Sequence, residues 1–104
     1  MSIRKIKSLK IGSVRYDIVR SEKIVDSDNA LGAVTYSAGE ICISTKQTSE
    51  DVEAATMMHE ALHALYWHAG VKNHKEEVIE VISGMLIRFI QDNPKFIEAV
   101  QLRK

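Results

Sequence analysis

The chain has 104 residues, 45% hydrophobic and 27% charged, a globular composition on the scale of one domain spanning residues 1–104. Fourteen Lys and Arg balance fourteen Asp and Glu, which excludes the strong overall field of a protein built to hold nucleic acid or an anionic membrane surface. A single cysteine, Cys42, rules out an intramolecular disulfide and a four-cysteine zinc cage.

The opening MSIRKIKSLK is positively charged and lacks an apolar stretch, so no signal peptide is expected. No apolar run approaches the roughly 20 residues of a membrane span. The expectation is a soluble, cytoplasmic protein. Residues 1–23 collect Arg4, Lys5, Lys7, Lys10, Arg15, Arg20 and Lys23 against Asp17 and Glu22. This reads as the solvated face of edge strands, with a docking patch for an acidic partner or nucleic acid as the sharper alternative.

Apolar residues alternate at Leu9 and Ile11, then at Val14, Tyr16 and Ile18, with Gly12-Ser13 between them, the pattern of a hairpin. A second hairpin is expected over residues 31–44. There Val34 and Tyr36 precede a Ser37-Ala38-Gly39 turn, and Ile41 and Ile43 follow it. Cys42, between those isoleucines, reads as a quiet packing residue. Together these segments predict a small antiparallel sheet.

Thr48-Ser49-Glu50-Asp51 reads as a helix start, a hydroxyl cap followed by acidic residues that suit the helix dipole. The helix runs to about Ala69 with Gly70 as terminator. A second helix covers roughly 74–91, with Val78, Ile82, Met85 and Phe89 as its apolar stripe, widened by Ile79, Leu86 and Ile90. Asp92-Asn93 ends it, and Pro94 opens a short third helix. A strand-rich first half and a helix-rich second half predict an α+β fold.

Within the first long helix stands His59-Glu60-Ala61-Leu62-His63, an H-E-x-x-H motif. Residues four apart on a helix lie one above the other, so both imidazoles can reach one ion. Glu60, about 100° further round, points beside that ion, where a base for activated water belongs. With four His and nine Glu in the chain, chance produces the motif in about one shuffled sequence in a hundred. Its uncharged neighbours Met57, Met58, Ala61, Leu62, Ala64 and Leu65 fit a buried helix.

A catalytic zinc takes three protein ligands and keeps one open position. The third candidates are Glu76, Glu77, Glu80 and His74, thirteen or so residues past His63, far enough for a turn and an antiparallel return. Glu76 is favoured, because it shares a helix stripe with Ile79 and the small Ser83, which lets two helices approach. Glu77 points toward Val81, Gly84 and Arg88. His68, His74, Tyr36 and Tyr66 are candidate donors to a developing oxyanion, and Trp67 reads as packing.

The H-E-x-x-H core Thr56–Leu65, the preceding segment Gly39–Ile43, and the later Glu76-Glu77-Val78-Ile79 and Asp92-Asn93-Pro94 carry a resemblance. Over roughly residues 9–95 the chain resembles the compact H-E-x-x-H zinc metallopeptidase-like proteins of phages and prophages. These are related to the ImmA/IrrE-type peptidases and more distantly to SprT-like and thermolysin-like zincins. The resemblance implies a minimal, gluzincin-like fold, zinc held by His59, His63 and Glu76, and Glu60 as general base. It also implies an edge strand at about 40–44 able to pair with an extended substrate.

The function expected is zinc-dependent hydrolysis of peptide bonds, with a protein or peptide as partner. The alternative is a non-catalytic, zinc-stapled binding or assembly module of a phage or mobile element. A nucleic-acid-associated role is disfavoured by the neutral charge and few aromatics. The oligomeric state is left open.

Overall fold

The computed structural model describes residues 1–22, 31–47 and 49–103. Lys23 and Thr48, singled out above, lie outside the described residues. After a short 3-10 turn at Ile3–Lys5 come β1 (Ser8–Ile11), β2 (Val14–Ser21), β3 (Gly32–Thr35) and β4 (Glu40–Ser44). Three helices follow: α1 (Glu50–His68), α2 (Glu76–Asp92) and α3 (Pro94–Gln101). The fold is α+β, as expected.

Both hairpins form where the alternation places them. Leu9 pairs with Tyr16 and Ile11 with Val14 across the Gly12-Ser13 turn, and Val34 pairs with Ile41 in the second hairpin. The sheet is not antiparallel throughout, however. Its order is β1-β2-β4-β3, and β2 runs parallel to β4, with Ile18 opposite Ile41. The second hairpin docks through β4, whose Ile41 and Ile43 are fully buried, because a strand that apolar gains most from a central place. Strand β4 is therefore interior. The edge expected at 40–44 is instead β3, at the end of the sheet.

One face of the sheet carries the core. Ile11, Tyr16, Ile41 and Ile43 pack with Met57, Ala61 and Ala64 of α1. Cys42, on the alternate phase of β4, is half-buried and unpaired, and burial pushes its thiol pKa up, with the charge of Glu40 adding to the shift. Helix α1 starts where the hydroxyl cap predicts, with the Ser49 side chain accepting from the Val52 amide at 3.2 Å. It stops before Gly70, whose φ of 86° is the left-handed turn that favours glycine after a helix.

Helix α2 differs from expectation at its start. It begins at Glu76 rather than at 74, because His74 turns back to bond its own loop. The stripe of Val78, Met85 and Phe89 stays exposed, while α2 buries only Ile79 and Ser83. No helix among the described residues is long and apolar enough to cross a membrane.

The basic N-terminal segment is partly structural. Arg20 Nε donates to Glu53 Oε1 at 2.9 Å and Arg4 Nε to Glu53 Oε2 at 3.0 Å. The remaining Arg20 nitrogens donate to the carbonyls of Ile6 and Ile3. This ties the 3-10 turn and β2 to the first turn of α1. Burial acts to raise the Glu53 carboxyl, but the two guanidiniums outweigh it and hold the pKa below the usual value.

A depressed pKa contributes stability above the unfolded-state value of about 4.3 that is lost as pH falls through the folded-state value. Glu53→Gln should therefore lower stability by about 1–3 kcal/mol near neutral pH. The gap to wild type should narrow as denaturant melts are repeated into the acid range.

Candidate metal centre

Helix α1 presents two working sides. Met57, Ala61 and Ala64 face the sheet, and His59 and His63 face α2. Glu60 lies on the flank between, against β3. A Cβ built on Gly32 would stand 2.7 Å from Thr56 Cγ2 and 3.1 Å from Glu60 Cγ. A glycine is what lets the edge strand lie this close to the motif helix.

Helix α2 crosses the other side on its small and apolar stripe. Ser83 is buried and Ile79 is fully enclosed, and this approach sets Glu76 over the two histidines. Glu76 Oε1 is 2.5 Å from His59 Nε2, and Glu76 Oε2 is 3.1 Å from His63 Nε2. The two Nε2 atoms are 3.3 Å apart. Among the described residues, His59, His63 and Glu76 form the one cluster with donor atoms close enough to share a metal ion. Glu77 is not part of it.

The surrounding hydrogen bonds fix which nitrogens point inward. His74 Nδ1 lies 3.0 Å from the Val71 carbonyl, which can only accept. A neutral His74 is thus protonated at Nδ1, and its Nε2 accepts from His63 Nδ1 at 2.7 Å. That leaves a lone pair on His63 Nε2. On the other ring, His59 Nε2 is hydrogen-bonded to Glu76 Oε1, and Nδ1 lies 3.0 Å from Glu80 Oε2, a carboxylate placed to hold the ring proton when Nε2 serves as a ligand. Carboxylate and imidazole partners of this kind set the tautomer of metal-ligating histidines.

Two imidazole Nε2 atoms and one carboxylate therefore converge; without a metal a proton on His59 Nε2 bridges to Glu76 Oε1, and a divalent cation could take its place. Zinc with nitrogens at about 2.0–2.1 Å in a tetrahedral shell sets them about 3.3–3.4 Å apart, which matches the separation of the two Nε2 atoms. The donor set fits a divalent metal. Burial holds the His63 pKa below its ordinary value, with Glu76 opposing and His59 assisting, which favours the neutral, ligating form. Burial acts to raise the Glu76 carboxyl, but His59 and His63 draw it down on balance.

Glu60 has the opposite environment. It is 7% exposed, and its Oε2 is 4.0 Å from His59 Nε2. Burial pushes its pKa up to about 7; the charge of His59 pulls it down and that of Glu76 adds to the rise. A cavity of about 450 Å³ opens beside these groups, bounded by α1, α2 and the start of β3. Leu31, Val52 and Ala55 give it an apolar wall.

The candidate oxyanion donors part company. His68 Nε2 is bonded to the Tyr16 hydroxyl at 2.7 Å, on the sheet side of the molecule. His74 is committed to His63, and Tyr66 stacks on the His74 ring at 5.3 Å. Tyr36 stacks on Trp67 at 4.3 Å, and Lys72 lies over the same indole. Burial raises the Tyr36 pKa first, then the charges of Glu60, Tyr16 and Glu76; none of the four candidates lines the cavity.

The supporting roles of His74 and Glu80 escape the sequence reading, which weighs both as ligands. One signal was present: Glu76 and Glu80 are one turn apart on α2, the same spacing as His59 and His63 on α1.

No protein-family model, characterised protein or solved structure matches the chain.

Loss of either outer partner should loosen the rings without removing a donor. Glu80→Gln and His74→Ala should each weaken zinc binding about 10- to 100-fold, read by competition with a chromophoric chelator. Glu77→Gln should leave the affinity unchanged.

Proposed function

We propose that this chain is a zinc-dependent peptidase in which His59, His63 and Glu76 hold the metal and Glu60 is the general base. The observation that carries this reading is the convergence of two imidazole nitrogens and one carboxylate beside a buried second carboxylate, at the wall of an open cavity. Two imidazoles and a carboxylate suit zinc among the common divalent ions. When bound, zinc supplies Lewis acidity, polarising a scissile carbonyl and acidifying water.

The protein supplies the proton chemistry. Glu60 Oε2 takes the proton of the attacking water and returns it to the leaving amine nitrogen. A carboxyl with a pKa near 7 is suited to both transfers at neutral pH. A substrate peptide would add to the outer edge of β3, with Leu31 and Gly32 bringing it along the cavity.

The resemblance to the phage-type H-E-x-x-H proteins points to the same chemistry. A metal-stapled assembly module is the other reading, but a staple has no need of a cavity opening on its ligands. A cytoplasmic setting belongs to the proposal, on the strength of the lone, unpaired Cys42.

Purified protein should carry about one equivalent of zinc, and His63→Ala should carry none and melt at a lower temperature. Glu60→Gln should keep the metal and lose proteolytic turnover by about 10²–10⁴-fold on unfolded protein substrates. A Gln variant as active as wild type removes Glu60 from the mechanism. A wild-type protein that is metal-free and indifferent to chelators removes the enzyme.

A further inference from the structure

Helix α3 has little to fold against. None of its residues is buried, and among the described elements it packs on α2 alone. An eight-residue helix does not hold by itself in water. Helix α2 poses the same problem on its outer side, where Val78, Val81, Met85 and Phe89 form a continuous exposed stripe. Met85 is 64% exposed.

The two faces join. Phe89 and Phe96 meet edge to face at 5.8 Å, and Val100 continues the patch one turn along α3. These six side chains leave on the order of 600 Å² of apolar surface in water, at the upper limit for a monomer.

We propose that this α2–α3 face is the interface of a homodimer, covered by the same face of a second copy across a two-fold axis. Three observations select that occupant. With its polar rim added, the patch approaches the roughly 800 Å² that each partner gives to a standard interface. The charges around it are balanced: Arg88 pairs with Asp92 at 3.2 Å, and Lys95 and Glu98 bring one of each sign. The chain as a whole has a formal net charge of zero, so two copies meet without a field to oppose them, and no acidic or basic partner is selected.

An isologous contact also gives each α3 what it lacks, a second helical surface, in the arrangement commonest among soluble oligomers. The interface lies on the side of α2 away from Ile79 and Ser83, so it leaves the approach of α2 to α1 intact. This inference is independent of the peptidase reading.

The test is the mass of the full chain in solution by sedimentation velocity and light scattering. Wild type should run as a dimer. The pair Met85→Glu and Phe96→Glu, both at exposed positions, should run as a monomer with its helical circular dichroism largely kept. Should the double variant fail to fold, the wild type still decides: thermal unfolding of a dimer shifts upward with protein concentration, whereas that of a monomer does not. A wild type that is monomeric over a hundredfold concentration range overturns the proposal. So does a folded double variant that remains dimeric, because the contact is then elsewhere.

Discussion

Glu76 reaches His59 and His63 only because α2 lies close against α1, and that closeness depends on a small side chain. Ser83 is 4% exposed and its hydroxyl is turned back to the Glu80 carbonyl at 3.0 Å. It therefore presents little more than a methylene to α1. A larger residue there would lift α2 off, and the Glu76 oxygens would leave the 2.5–3.1 Å range they now keep to the two imidazoles. Glu80, one turn further along, would lose His59 Nδ1 by the same movement. The metal cluster and its hydrogen-bonded surround thus share one packing constraint.

Two buried glutamates on α1 show how the same residue type is given opposite properties. Glu53 and Glu60 are two turns apart and similarly buried, at 5% and 7% exposure. Glu53 receives two guanidiniums and titrates below the usual carboxylate range. Among the described residues Glu60 has no fixed cation beside it, only β3, His59 and Glu76, and burial pushes its pKa up to about 7. Burial pushes both carboxyls in the same direction, and what differs is whether the fold provides a permanent positive partner. The first is a clamp that fastens the N-terminal segment. The second keeps a proton that can be exchanged, the property a general base needs.

Much of this was legible in the sequence, and what was not has a common cause. The hairpins and helices rest on alternation, capping and turn residues within a few positions of one another. The spacing of Glu76, Ile79 and Ser83 likewise gives the side of α2 that meets α1, and the H-E-x-x-H spacing gives the pair of inward imidazoles. The parallel pairing of β2 with β4 depends on how two complete hairpins dock, and the local signs that β3 is the outer strand are slight, the glycine at position 32 and the larger apolar residues Ile41 and Ile43 of β4. The Glu53 clamp joins residues 33 and 49 positions apart. The stripe on α2 is legible as apolar, but periodicity reveals that a face is apolar without saying whether the chain's own core covers it.

That last distinction bears on how α2 is kept in place. A helix that carries a ligand must be held firmly, yet α2 gives α1 only Ile79 and Ser83 as buried contacts, with Leu62 of α1 buried outside the cluster that packs on the sheet. The remaining attachments are polar and converge at one end, where Glu76 and Glu80 meet the histidines. Without a metal this end is joined by the hydrogen bond of His59 Nε2 to Glu76 Oε1. With one, the same atoms draw α2 onto α1. Metal binding in such an arrangement is also folding of the helix pair. Among the described residues the far end of α2 has no equivalent fastening, since α3 buries nothing. Met85, Phe89 and Phe96 are exposed there, and the dimer we propose would cover them without disturbing the end that carries the candidate site.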